Sequence, residues 1–171
     1  MDRRIIKTKK ALIKAFIDLR KENMNKIPLV KDLCERADVN KTTFYRHYKN
    51  IDGLIIDASK VIIETIIGDG KYVAYLTSDP EKFLKINIER FESYSEDVKA
   101  VGSVSPNVFF HILQERTARE FRKINHREID DDILQFIAGG VARVIIELNR
   151  HNEATLKKLA KAIHVCININ Q

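Results

Sequence analysis

The sequence predicts an all-α fold, and three observations carry that expectation. Apolar residues recur at i, i+3, i+4, i+7 through most of the 171 residues. Helix-starting residues (Asn40, Asn50, the Ser78–Glu81 stretch and the Asp130–Asp132 run) punctuate those segments. No stretch keeps the apolar–polar alternation of a half-buried strand long enough to predict a sheet. The hydrophobic fraction of 44% and charged fraction of 32% fit an ordinary soluble globular protein. No apolar run approaches the ~20 residues needed to cross a bilayer.

The first helix is expected over 3–22, with Leu12, Ala15, Phe16 and Leu19 inward and Lys7, Lys9, Lys10 and Lys14 on the surface. After a connection from Asn23 to Pro28, a second helix (29–36) places Val30, Leu33, Cys34 and Ala37 on one face. Asp38-Val39-Asn40 breaks the pattern and ends in an N-cap, and a third short helix (40–46) follows. Phe44 and Tyr48 lie one turn apart and point inward together. A long, strongly apolar helix over 52–68 is ended by Gly68-Asp69-Gly70 and must be covered on more than one side.

A short Tyr72/Tyr75/Leu76 patch leads to Ser78-Asp79-Pro80-Glu81, a helix start for 80–97 with Leu84, Ile88, Phe91 and Tyr94 inward. Ala100 to Ser105 reads as a small-residue loop, and Pro106 opens a helix to 124. Asp130-Asp131-Asp132 suits the positive end of a helix over 130–150, whose Gly139-Gly140 calls for close backbone packing. A last helix covers 153–169, giving eight or nine in all.

Two short helices joined by a tight turn, the second rich in cationic, hydroxyl and aromatic residues, describe a helix-turn-helix. Charge sharpens that reading. Residues 1–51 hold 14 Lys/Arg against 6 Asp/Glu, a balance of +8, whereas 52–171 hold 16 against 18. The whole net charge of +6 therefore comes from the third of the chain containing the motif, the footprint of a DNA-binding head on a neutral body. The expected division is a head over 1–51 and a helical regulatory and dimerisation domain over 52–171, with 52–68 as linker helix.

The stretch from Val30 to Leu54 resembles the DNA-binding domain of the TetR family of transcriptional regulators. The residues that carry the likeness are Leu33-Cys34, Ala37, Val39, Phe44-Tyr45, His47 and Tyr48, followed by Asn50 and Leu54. It departs from the family pattern at Leu29, where a hydroxyl is usual, and at Ile51, where a phosphate-gripping Lys is usual. The Ile51-Asp52 pair resembles short members of the dihydroxyacetone-kinase-activator type.

Lys41, Thr42, Thr43 and Arg46 are the side chains of the third helix expected to meet base edges. The resemblance gives Tyr45 and His47 phosphate-holding roles, which position the helix without reading sequence. Lys31, Asn40 and Lys49 complete the expected contact set. The resemblance also implies a homodimer through the two C-terminal helices, for which the stripes Ile133, Ile137, Gly140, Val141, Val144 and Leu148, and Leu156, Leu159 and Ile163, are the candidates. It further implies an effector site in the C-terminal domain, with Tyr72, Tyr75, Tyr94, Phe109, Phe110 and His111 as candidate lining residues.

No P-loop, G-x-G-x-x-G, G-x-S-x-G or H-E-x-x-H pattern occurs, so catalysis, a cofactor and a metal are not expected. The His111/Glu115 and Glu147/His151 pairs at helical spacing are ordinary surface pairs. Cys34 and Cys166 form no CxxC and read as small buried hydrophobes in a reducing cytoplasm. The N-terminus lacks an apolar signal core, so secretion is not expected. The expected function is a cytoplasmic repressor that binds double-stranded DNA at a palindromic operator as a homodimer and is released by an effector. A second reading keeps the helix-turn-helix and has the C-terminal bundle dock a protein partner instead of a small ligand.

Overall fold

The structure, a computed structural model, describes residues 3–124, 130–147 and 153–168, without the side chains of 124, 144–147 and 168. Ten α-helices occur among the described residues: α1 (Arg3–Glu22), α2 (Val30–Arg36), α3 (Lys41–His47), α4 (Ile51–Ile67), α5 (Tyr75–Ser78), α6 (Pro80–Ser93), α7 (Ser95–Gly102), α8 (Pro106–Ile124), α9 (Asp131–Glu147) and α10 (Glu153–Asn168). A 3-10 turn, Lys71–Ala74, precedes α5. No strand is present among the described residues, and none of their helices is long and apolar enough to cross a membrane.

The chain packs as two compact units. Residues 1–62 and 95–109 form the first, and 63–94 and 110–171 the second. In the first unit, α1 packs on α2 and α7, and α2 on α3. Leu12, Ile13, Ala15 and Phe16 of α1 are buried, as are Leu33, Phe44, Leu54 and Ala58. In the second, α6 packs on both α9 and α10 around Phe83, Leu84, Phe91, Leu134 and Ile163.

Several boundaries differ from the sequence reading. One helix was expected over 80–97, but the chain breaks at Tyr94 (φ −115°, ψ 20°) and restarts as α7, so Ala100–Gly102 is helix rather than loop. Acidic Glu96 and Asp97 in the first turn of α7 suit its positive end. The cap of α6 is Asp79, whose carboxylate accepts from the Lys82 amide at 3.0 Å, while the Ser78 hydroxyl donates back to the Ala74 carbonyl. Along α4 the buried residues fall in pairs every four positions: Leu54/Ile55, Ala58/Ser59, Ile62/Ile63 and Ile66/Ile67. That pattern defines one broad buried face, and Ile56 and Val61 lie off it, exposed.

A charged cluster ties the second unit together. Arg116 bonds Glu64 at 2.8 Å and also pairs with buried Glu120, which holds Lys123 at 2.9 Å. Gly70 beside it has φ +69°, and a Cβ there would lie 2.8 Å from the Glu120 side chain. Glycine is required by both the backbone and the space.

Candidate nucleic-acid interface

The turn between α2 and α3 is built by hydrogen bonds. The Val39 amide donates to the Cys34 carbonyl at 2.9 Å and the Asp38 amide to Glu35 at 3.3 Å, the paired closure of a Schellman motif. Asp38 sits in the left-handed region at φ 52°, a place usually given to Gly but tolerated by Asp. Asn40 then caps α3: its Oδ1 accepts from the Thr43 amide at 2.7 Å. At the start of α2, Leu29 makes no side-chain cap bond, as its lack of a hydroxyl dictates.

The orientation of α3 is fixed from within. Phe44 is fully buried and Tyr48 nearly so, with ring centroids 5.7 Å apart. Tyr48 donates its hydroxyl to Asp57 Oδ2 of α4 at 3.2 Å, and Lys9 of α1 donates to the same oxygen at 2.9 Å. Lys9 also lies 5.0 Å from the Tyr48 ring centre. Burial first, and then the Asp57 carboxylate, push the Tyr48 phenol far above its ordinary range, so it remains a neutral donor. One tyrosine thus locks three helices, α1, α3 and α4.

With Phe44 and Tyr48 inward, the 100° helical step turns Thr42, Thr43 and Arg46 to the opposite side, with Tyr45 and His47 flanking. Lys41, Thr42, Tyr45, Arg46 and Lys49 are exposed, and Thr43 and His47 are half-buried. Arg46 donates to the Thr43 hydroxyl at 3.3 Å, which braces two expected base-reading residues against each other. Asn40 is exposed, but its oxygen is committed to the cap, leaving its amide nitrogen for an outside acceptor. Lys31 is exposed on α2. The structure therefore brings α3 and its flanks together on one side of the first unit.

The other expected sites are placed differently. Tyr72 is buried, stacks on Phe83 with ring centroids 6.0 Å apart and bonds Asn87 at 3.2 Å. Tyr75 lies 3.9 Å below the Lys82 ammonium, and Phe110 lies 5.2 Å from the Arg143 guanidinium. Tyr94 is half-buried at the α6–α7 break, Phe109 is buried against Gly102, and His111 is exposed. None of the six lines the apolar groove of the second unit or the groove beside α3.

Of the expected dimer residues, Ile137, Gly140, Val141, Leu159 and Ile163 line one open apolar groove of about 210 Å³. Phe136, missed in the sequence, lines it too and is 72% exposed. So does Cys166, which is half-buried rather than enclosed, whereas Cys34 is buried and its thiol pushed up by burial. A Cβ at Gly140 would meet nothing within 4 Å, so close packing within the described residues does not account for that glycine. Leu156 is buried and Ile133 half-buried. Val144 lies in α9 with its side chain outside the described residues; Leu148 lies outside them altogether, as does the Glu147/His151 pair of side chains.

Among the described residues, no three His, Cys, Asp or Glu side chains group as metal ligands. Sequence reasoning missed Lys9 and Asp57, which lock Tyr48 in place, and the apolar pair Ile27 and Leu29 beside α3. Their signal was two exposed aliphatic residues around Pro28 in a connection, where polar residues are usual.

No protein-family model matches the chain. A search of curated proteins finds the uncharacterised HTH-type transcriptional regulator YxbF of Bacillus subtilis (strain 168), 34% identical over 56 residues. Those residues are 32% of this chain and span only 15% of that relative's length. Two solved structures share the fold. One is a TetR transcriptional regulator from Streptococcus agalactiae 2603V, with a TM-score of 0.59 and 23% identity, covering 97% of this chain and 96% of that one. The other is a transcriptional regulator (TerR/AcrR family) from Aquifex aeolicus VF5, with a TM-score of 0.53 and 19% identity, covering 95% and 98%. The fold of this chain is thus that of TetR-type regulators, and none of the three relatives carries a dihydroxyacetone-kinase-activator name.

Proposed function

We propose that this chain is a DNA-binding transcriptional repressor that reads a palindromic operator as a homodimer in the cytoplasm. One observation carries the reading. The buried Phe44–Tyr48 pair holds α3 so that Thr42, Thr43 and Arg46 face outward, in the part of the chain that supplies the entire positive excess. Hydroxyl and guanidinium groups on a rigid short helix suit hydrogen bonding to base edges in a major groove. The names of the three relatives point the same way.

A single head reads few base pairs, so specific binding calls for two heads related by a twofold axis. The open groove around Phe136 and Gly140 is the surface offered to the second copy. Release comes from an effector that prefers the conformation misfitting the operator. The narrower dihydroxyacetone-kinase-activator likeness stays with the Ile51-Asp52 pair alone, and nothing in this function depends on it.

Tyr45→Ala tests the assignment on a duplex that the protein itself selects. Tyr45 is 56% exposed, so the helical fold should survive. Binding should weaken roughly tenfold or more, as for loss of a charge-assisted phosphate bond in each of two heads. Unchanged affinity would remove Tyr45 from the interface and weaken the placement of α3 on DNA.

A further inference from the structure

The second unit buries a charged pair that DNA binding leaves unused. Arg116 and Glu120, one turn apart on α8, are only 9% and 6% exposed. The Arg116 Nε donates to Glu64 of α4 at 2.8 Å. Its Nη1 faces the Glu120 carboxylate, yet no acceptor meets that buried nitrogen in hydrogen-bonding geometry. A guanidinium nitrogen left so costs free energy that a better-placed acceptor would recover. Glu120 is itself divided, because exposed Lys123 donates to it at 2.9 Å. Lys123 does most to hold the Glu120 carboxyl below its ordinary range, so the group stays an anion.

These partners permit an exchange that never leaves a bare buried charge. Glu120 can swing outward with Lys123, while Arg116 stays held by Glu64. The seat then left at Arg116 has the outline of the departed side chain, two methylenes and a carboxylate, which is propionate. It lies against Gly70, where a Cβ would come within 2.8 Å of Glu120, so the glycine leaves the space for that chain. A phosphate dianion is bulkier and brings a second charge, which an Arg116 fork already shared with Glu64 does not match.

We propose that Arg116 is the anion seat of the effector site, and that the effector is a small monocarboxylate that takes the place of the Glu120 side chain. The proposal rests on the effector-release reading above and gives that effector a chemical class. A free carboxylate can align with the Arg116 fork as the tethered Glu120 does not. Glu120 is the built-in competitor: it fills the seat when no ligand is present and so sets the concentration at which the effector acts.

Calorimetric titration of the full chain with propionate at constant ionic strength tests the seat, with inorganic phosphate as the comparison anion. Propionate should bind saturably and phosphate should not. Glu120→Gln removes the competitor's charge and should tighten propionate binding by roughly tenfold or more. Arg116→Gln alone would strand the buried Glu120, so the loss variant combines Arg116→Gln with Glu120→Gln. It should bind propionate roughly tenfold or more weakly than Glu120→Gln alone. Propionate should also lower the affinity of the unmodified chain for its selected duplex.

No propionate binding by the unmodified chain or by Glu120→Gln would overturn the seat and leave the DNA-binding reading standing. Equal affinity with and without Arg116, or phosphate binding as tight as propionate binding, would overturn it too. Propionate bound with no change in duplex affinity would take the effector role from this seat. A chain that takes propionate but binds no duplex would keep the seat and sink the DNA-binding reading instead.

Discussion

The guanidinium of Arg20, on α1, donates from Nε to the carbonyl oxygen of Ala100, on α7, at 2.9 Å. Arg20 is 3% exposed, and the same fork also reaches the Lys26 carbonyl at 3.0 Å and the Ser103 hydroxyl at 2.8 Å. Beside it, Lys21 pairs with Asp97 at 2.6 Å. One buried cation therefore satisfies the carbonyl end of α7 and the connection after α1, and makes α7 part of the unit that carries the helix-turn-helix.

Arg20→Met should lower the unfolding free energy by about 3 kcal/mol, because several buried acceptors lose a charged donor together. Arg20→Lys should recover less than half, since an ammonium cannot reproduce the planar fork. Urea unfolding checks both, read as a lower midpoint at constant slope. An unchanged midpoint in Arg20→Met would mean the fork contributes no net stability.

Asp38 occupies the left-handed position of the α2–α3 turn. Asp38→Gly should stabilise the chain by about 0.5–1 kcal/mol, the relief of the Cβ less the added freedom of the unfolded chain. The thermal midpoint should rise by about 2–3 °C. A fall would show that the Asp38 carboxylate makes a contact stronger than that strain.

Burial pushes the Tyr72 phenol up to about 12, with Arg90 and Arg116 acting in the opposite direction. Its contribution to stability is fully present below its ordinary value of 10 and is lost as pH rises through about 12. Over that window stability should fall by about 1.4 kcal/mol per pH unit from this group. Tyr72→Phe gives up the bond to Asn87 but should show a flatter alkaline limb by that amount in unfolding experiments. Equal limbs in the two proteins would contradict the assignment.

Phe136 tests the proposed dimer surface. Phe136→Asp changes a residue 72% exposed in the protomer, so protomer stability should shift by no more than about 0.5 kcal/mol. The native mass should fall to that of a monomer, and operator affinity should drop roughly 100-fold as the two heads lose their linkage. A dimer that persists would place the interface elsewhere.

The helix-turn-helix was legible because its signals are local. Apolar spacing at Val30, Leu33, Cys34 and Ala37, the Asn40 cap and the Phe44/Tyr48 pair each act within a few residues. Arg20 was not legible: a cation on a basic helix reads as solvated until another segment's carbonyls surround it. The break at Tyr94 was hidden because Leu84, Ile88, Phe91 and Tyr94 keep helical spacing right up to it. The small residues of Ala100–Gly102 read as a loop, though burial of Ala100 and Val101 holds them in helix. Aromatic residues were the poorest guide. Tyr72 is buried, whereas Phe136, which the sequence did not single out, is exposed.

The most direct test of the DNA-reading account is selection of bound sequences from random duplex DNA by the purified full chain at near-physiological salt. The account predicts enrichment of one palindrome, with half-sites about one helical turn apart. A folded dimer that enriches no sequence would contradict it.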